Sequence, residues 1–131
     1  MSGLLDTSFM VRYLTGDPPE LAARVAQVID GEERLVVTDL VIAETAYVLT
    51  SVYRVAREVL VDSLMAFLQK RNIDVWPISK DLALDALLLC RPSGRVSFAD
   101  AMIWAAARSG EGVVYSLDRR FPNDGIDVRE H

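Results

Sequence analysis

Cysteine is almost missing from this chain. Cys90 stands alone among 131 residues, so no internal disulfide can form and a cysteine-rich zinc site is excluded. Histidine is as scarce: the one residue is His131, which argues against a histidine-based triad or a His-ligated metal. Long apolar stretches are missing too. The longest charge-free run, Thr45 to Tyr53, has nine residues, whereas a membrane span needs ~18 or more. The first residues show no basic segment followed by a long apolar one, so no secretion signal is expected and the chain reads as soluble and cytoplasmic. Excess positive charge is missing as well. A net charge of −5 and a pI near 4.8 exclude a bulk-basic nucleic-acid binder, but not an acidic enzyme that meets phosphates through metal ions.

What is present is a globular composition. Hydrophobic residues make up 51% and charged residues 25%, which excludes a disordered chain. No repeat, linker or low-complexity tract divides the sequence, so residues 1–131 are expected to form one domain. A chain of this length can bury about two thirds of its surface. Short apolar runs at Gly3-Leu4-Leu5, Leu35-Val36-Val37, Val75-Trp76 and Val113-Val114-Tyr115 read as buried strands. Between them lie helix-like segments: Thr7 to Thr15, Pro19 to Asp30, Leu40 to Tyr53, Arg57 to Arg71, Ser79 to Cys90 and Ser97 to Ser109. Pro19 suits a first helical position, Ser79 and Ser97 suit N-caps, and Gly110 closes the last helix. Alternation of all-apolar strands with helices predicts an α/β fold with a parallel sheet covered on both faces. Ligands bind such sheets beyond the carboxyl ends of the strands, where Asp6 and Asp118 fall.

Nineteen acids are present, and most must be ordinary surface charges. Four stand in apolar frames. Asp6 is the only charge from Met1 to Val11, Glu44 the only one from Leu40 to Tyr53, and Asp100 the only one from Val96 to Ala107, while Asp118 ends the run Gly112 to Leu117. Leu40, Val41, Tyr47 and Val48 share the helix face of Glu44, and Ile42, Ala46, Leu49 and Tyr53 cover the opposite face. Such a helix shows no solvated side, so burial of Glu44 beside something positive is expected. Each acid also has an ordinary reading. Asp6 can cap the following helix, Ser97-x-x-Asp100 fits a capping-box variant, Asp118 can open a turn before Arg119-Arg120, and Glu44 can pair with a buried arginine. All four together, without histidine or cysteine, describe a site for a hard cation, Mg²⁺ or Mn²⁺, whose carboxylates repel one another when it is empty.

At these residues the sequence resembles the PIN-domain family, and within it the VapC-like toxin ribonucleases of type II toxin-antitoxin pairs. The matching stretches are Leu4-Leu5-Asp6-Thr7-Ser8, Val41-Ile42-Ala43-Glu44-Thr45-Ala46-Tyr47-Val48-Leu49, Ser97-Phe98-Ala99-Asp100-Ala101-Met102-Ile103 and Tyr115-Ser116-Leu117-Asp118-Arg119-Arg120-Phe121. Each is weak alone; their order and spacing together are specific, and they span the chain. The resemblance implies a three-layer α/β/α sandwich with a central parallel sheet and a metal-dependent endoribonuclease. Asp6, Glu44, Asp100 and Asp118 would be its catalytic, metal-binding quartet, supported by Ser116. Many relatives carry a further Asp two residues after the position of Asp118; Arg120 stands there instead. The resemblance also implies a homodimer, an antitoxin partner that covers the acidic pocket, and heterotetramers or larger complexes of the two.

The expected chemistry is hydrolysis of an RNA phosphodiester, with magnesium lowering the pKa of a bound water and neutralising charge in an in-line displacement. Arg12, Arg95, Arg119 and Arg120 lie closest to the motifs and are the candidates for holding RNA phosphates. Transfer, ribosomal and messenger RNA all remain open as substrates. A receiver-type phosphoacceptor domain would also cluster acids around Mg²⁺, but it needs an acidic pair after the first strand and a lysine after the last. Thr7 follows Asp6, and the only lysines are Lys70 and Lys80. A catalytically inactive PIN-like binding module would have little use for four intact acids. Cys90, Trp76 and Trp104 read as packing residues. The apolar residues of the segments 40–53 and 57–71, Val59, Leu60, Val61, Leu64, Met65, Phe67 and Leu68 among them, exceed what one sheet is expected to cover and suggest an interface.

Overall fold

The computed structural model describes residues 3–130. β1 (Gly3–Leu4), β2 (Leu35–Thr38) and β3 (Ile73–Trp76) form a parallel sheet with β2 in the middle. Leu4 lies opposite Val36, and Val37 opposite Val75. β4 (Val113–Tyr115) pairs in parallel with β5 (Asp127–Arg129). The parallel α/β architecture is therefore as expected, with the strands divided between two hydrogen-bonded sheets. β5 has no counterpart in the sequence reading. Its Asp-Val-Arg sequence offers one apolar residue, Val128, between two exposed charges, too little for an apolar-run signal.

Six helices connect these strands: α1 (Thr7–Thr15), α2 (Pro19–Ile29), α3 (Asp39–Ser51), α4 (Arg57–Leu68), α5 (Lys80–Cys90) and α6 (Phe98–Ser109). The Ser79 and Ser97 hydroxyls cap α5 and α6 by accepting from the backbone N–H groups of Leu82 and Asp100. α3 and α4 stop two and three residues short of the sequence boundaries, as helix ends commonly do. One hydrophobic cluster runs from Leu5 to Phe121. Ile42, Leu60, Leu64, Ile73 and Leu87 are fully buried within it, each stabilising the fold by about 1.5–3 kcal/mol relative to exposure.

The two central helices divide their apolar surface differently from the expectation. In α4, Leu60, Val61, Leu64, Phe67 and Leu68 are buried and Met65 is half-buried, leaving Val59 exposed. The helix therefore satisfies itself inside the domain. α3 buries Ile42, Ala46 and Leu49, while Leu40 and Tyr47 are 72% and 70% exposed. The expectation that α3 lacks a solvated side is thus overturned: its solvated side is apolar. Trp76, expected in packing, is exposed at the end of β3, whereas Trp104 is buried with its indole N–H donating to the Asp124 carbonyl at 2.8 Å. Cys90 is buried as expected, and burial pushes its thiol up to about 11. Among the described residues no helix is long and apolar enough to cross a membrane.

Candidate active site

Asp6 follows β1 by way of the buried Leu5 and takes extended backbone angles, φ −96° and ψ 173°, as an N-cap must. Its Oδ1 accepts from the Ser8 hydroxyl at 2.6 Å and from the Phe9 N–H at 3.2 Å. The Ser8 bond first, and the Phe9 bond second, hold its carboxyl below the usual carboxylate range, so Asp6 is ionised at neutral pH. The capping reading is therefore correct, and Oδ2 accepts no hydrogen bond from the described residues. Thr7, the first residue of α1, donates its hydroxyl to Oε1 of Glu44 on α3. A cap acid on one helix is thereby linked to an acid on another through a single residue.

Glu44 itself corrects an expectation. It is exposed, and among the described residues it has no cationic partner. Water solvates the carboxylate, so the desolvation that would have demanded a cation does not arise.

Asp100 occupies the first turn of α6, where a carboxylate suits the positive end of the helix dipole. The Ser97 hydroxyl accepts from its N–H at 3.0 Å. The box is one-sided: no hydrogen bond engages the Asp100 carboxylate among the described residues, which leaves it free for a ligand. Ala43 and Ala99 both line two cavities, of about 230 and 320 Å³, between α3 and α6. Each alanine directly precedes a candidate acid, so Glu44 and Asp100 stand on the two helices that form this seam.

Sequence reasoning missed Arg57. Its Nη1 donates to the carbonyls of Cys90 at 2.8 Å and Val96 at 3.3 Å, and its guanidinium lies 4.7 Å from the centre of the Phe98 ring. One side chain from α4 thus ties the end of α5 to the start of α6, and so fixes the turn that carries Asp100. A signal did exist. Arg57 is the first residue of α4, where the helix dipole disfavours a cation, so a basic residue there points to a task outside its own helix.

Asp118 lies beyond β4 in a turn it organises. Its N–H donates to the Ser116 hydroxyl at 3.0 Å, and its Oδ1 accepts from the Arg120 N–H at 2.8 Å. The turn reading is correct, and Ser116 supports Asp118 through the backbone. Arg95, Arg119 and Arg120 line one cavity of about 360 Å³. Arg12 is set apart from them. Half-buried, it donates to the Tyr53 hydroxyl at 3.1 Å and to the Asp17 carbonyl at 3.3 Å, anchoring the end of α1.

No three His, Cys, Asp or Glu side chains among the described residues are gathered closely enough to hold a metal ion by themselves. The structure joins Asp6 to Glu44 through Thr7, places Glu44 and Asp100 on the packed helices α3 and α6, and holds Asp118 in its own turn. None of the four forms an ion pair among the described residues. Oxygen-only donors of this kind fit a hard cation such as Mg²⁺, which keeps several waters and takes only one or two protein carboxylates together with substrate phosphate.

No curated protein matches this chain at a significant level. Among solved structures the chain is similar to VapC20 of Mycobacterium tuberculosis, described as a Sarcin-Ricin loop cleaving toxin, at 24% identity over 95% of this chain and 96% of that one, with a TM-score of 0.44. The PIN domain model matches residues 3–124, nearly the whole described chain and all four acidic motifs, and this protein therefore belongs to the PIN domain family.

Proposed function

We propose that this PIN domain is a metal-dependent endoribonuclease and the toxin of a toxin-antitoxin pair. The observation that carries the reading is the bond from the Thr7 hydroxyl to Glu44, which ties the carboxylate of α3 to the residue after Asp6, in a chain whose PIN domain match spans all four acids. Asp6 and Glu44 would hold Mg²⁺ or Mn²⁺, with Asp100 and Asp118 completing the acidic pocket. The ion, when bound, supplies an activated water and neutralises charge on the phosphodiester. The chain's own residues prepare that site. Thr7 orients the Glu44 carboxylate, Ser8 and the Phe9 N–H keep Asp6 ionised, and Arg57 fixes the turn that presents Asp100. Without metal the acids repel RNA, which makes cleavage strictly metal-dependent.

The partners follow the same reading. The exposed Leu40 and Tyr47 on α3, joined by Ile103 on α6, support a homodimer or antitoxin interface on this seam rather than on α4. The antitoxin then covers the acidic pocket with a basic side chain, giving a heterotetramer or larger complex in the cytoplasm.

Incubating the purified protein with cellular RNA and sequencing the new ends tests the activity. Discrete cleavage is expected with Mg²⁺ or Mn²⁺, lost in chelator and restored by the added ion. Cleavage that persists in chelator removes the metal mechanism. Light scattering at micromolar concentration is expected to give the mass of a dimer, and a strictly monomeric mass removes that interface.

A further inference from the structure

Beside Asp118 lies a cleft whose charge runs against the rest of the molecule. Arg95 comes from the α5–α6 loop, Arg119 and Arg120 from the turn after β4, and the three line one cavity of about 360 Å³. The chain carries a net charge of −5, yet the cleft's lining has three guanidinium groups against a single carboxylate, Asp124. Three arginines elsewhere on the chain are neutralised by a neighbouring acid. Arg34 pairs with Asp74 at 2.6 Å, Arg91 with Asp62 at 2.8 Å and Arg129 with Asp127 at 2.8 Å. In the cleft, the side chains of Arg95 and Arg120 find no acceptor among the described residues, and Arg119 has only a 3.9 Å approach to the exposed Glu130.

The backbone that carries these arginines is held firmly. Phe121 and Pro122 are buried, the Phe121 N–H donates to the Asp118 carbonyl at 3.1 Å, and the Trp104 indole holds the Asp124 carbonyl at 2.8 Å. Anchored like-charged groups that face one cavity without partners favour an anion. Guanidinium groups match phosphate oxygens in bidentate geometry, and the cavity falls in the ~300–1,000 Å³ range of ligand sites. Arg119 and Arg120 also follow Asp118 directly, and the Asp118 carboxylate accepts from the Arg120 N–H, so a strand bound here lies beside that acid.

We propose that this cleft grips the backbone phosphates of single-stranded RNA on the Asp118 side of the scissile bond. Arg95 and Arg120 are the principal contacts and Arg119 an outer one. The proposal rests on the ribonuclease reading, and it gives that reading a strand path. Contacts to phosphate carry no base identity, so the cleft contributes affinity and register rather than sequence choice.

The test measures binding apart from cleavage. In an Asp100→Asn background with Mg²⁺, the anisotropy of a fluorescein-labelled single-stranded RNA of about 15 nucleotides is followed between about 50 and 200 mM salt. Arg95→Gln with Arg120→Gln is expected to weaken binding roughly tenfold or more. The slope of log affinity against log salt should become shallower by about 1.4, or about 0.7 per lost contact. A control pair, Arg24→Gln with Arg71→Gln, removes the same charge from α2 and the α4–β3 turn and is expected to leave both quantities nearly unchanged. Arg95→Lys with Arg120→Lys should keep the salt slope and recover part of the affinity. Equal losses in the Gln pair and the control pair overturn the cleft, as does an unchanged affinity of the Gln pair with an intact melting temperature. Cleavage by the unmodified chain is scored separately. Its absence alongside arginine-dependent binding overturns the ribonuclease reading and leaves the cleft standing.

Discussion

The acidic seam and the arginine cleft carry opposite charge and are built in opposite ways. Three of the acids sit on helices or at a helix cap: Asp6 caps α1, Glu44 rides on α3 and Asp100 lies in the first turn of α6. The arginines sit on loops held by buried anchors such as Phe121. The difference follows from the chemistry each charge meets. Inner-sphere oxygen ligands must stand within ~2.0–2.6 Å of an ion, which demands rigid elements. Phosphates along a flexible strand tolerate ångström shifts, and long arginine side chains on loops suffice. The seam is thus the part where a small change should stop chemistry, and the cleft the part where changes should grade affinity.

The largest effect is expected at Asp100. Asp100→Asn should lower cleavage by roughly a thousandfold, the loss of several kcal/mol of transition-state stabilisation. The Ser97 cap accepts from the backbone N–H, which Asn retains, so the melting temperature should change little. A large drop in melting temperature would return Asp100 to a structural role. Thr7→Val should cost about 10–100-fold in activity or metal affinity, because the Glu44 carboxylate loses its orienting donor. An unchanged apparent metal affinity, read by titrating Mg²⁺ into the cleavage assay, would unlink α1 from the seam.

Arg57→Met should reach the site from a distance. It frees the Cys90 and Val96 carbonyls and is expected to cost about 2–4 kcal/mol in denaturant unfolding. Activity should fall in kcat more than in KM, with partial rescue by Arg57→Lys. An equal effect on KM alone would make Arg57 a substrate contact instead.

Asp6 separates capping from chemistry. Asn caps nearly as well as Asp, so Asp6→Asn should hold stability while lowering cleavage. Asp6→Ala should lose both, with about 1 kcal/mol and roughly 3–6 °C in melting temperature. The folded pKa of Asp6 is depressed, so its contribution is present above the unfolded value of about 3.9 and is lost as pH falls through the folded one. The difference in stability between the wild type and Asp6→Ala should therefore shrink in acid. The smallest effect belongs to Thr45, whose buried hydroxyl has no partner among the described residues. Thr45→Val should be neutral or stabilising by about 1 kcal/mol in thermal unfolding, and a clear loss would show that this hydroxyl is bonded after all.

Much of this molecule was legible in the chain. The six helices, four of the five strands and the caps at Ser79 and Ser97 follow from local pattern, because apolar period and cap chemistry act within a few residues. The four acids stood out for the same reason: each is a lone charge in an apolar frame. Where the reading failed, the deciding contact was distant. Apolar residues on both sides of α3 suggested burial of Glu44, yet only the packing of α1 and α6 decides which side meets water. Trp76 looked like core until the end of β3 left it uncovered.

The sequence by itself determined an α/β domain of the PIN family, with four isolated carboxylates and no histidine or thiol chemistry to rival them. The link between Thr7 and Glu44, the span of Arg57 from α4 across α5 to α6, and the meeting of Arg95 with Arg119 and Arg120 were decided only by the tertiary structure. The physical reason is sequence separation. Hydrophobic period and capping are short-range and written in adjacent residues, whereas these contacts join positions 24 or more residues apart and exist only once the core has brought their elements together.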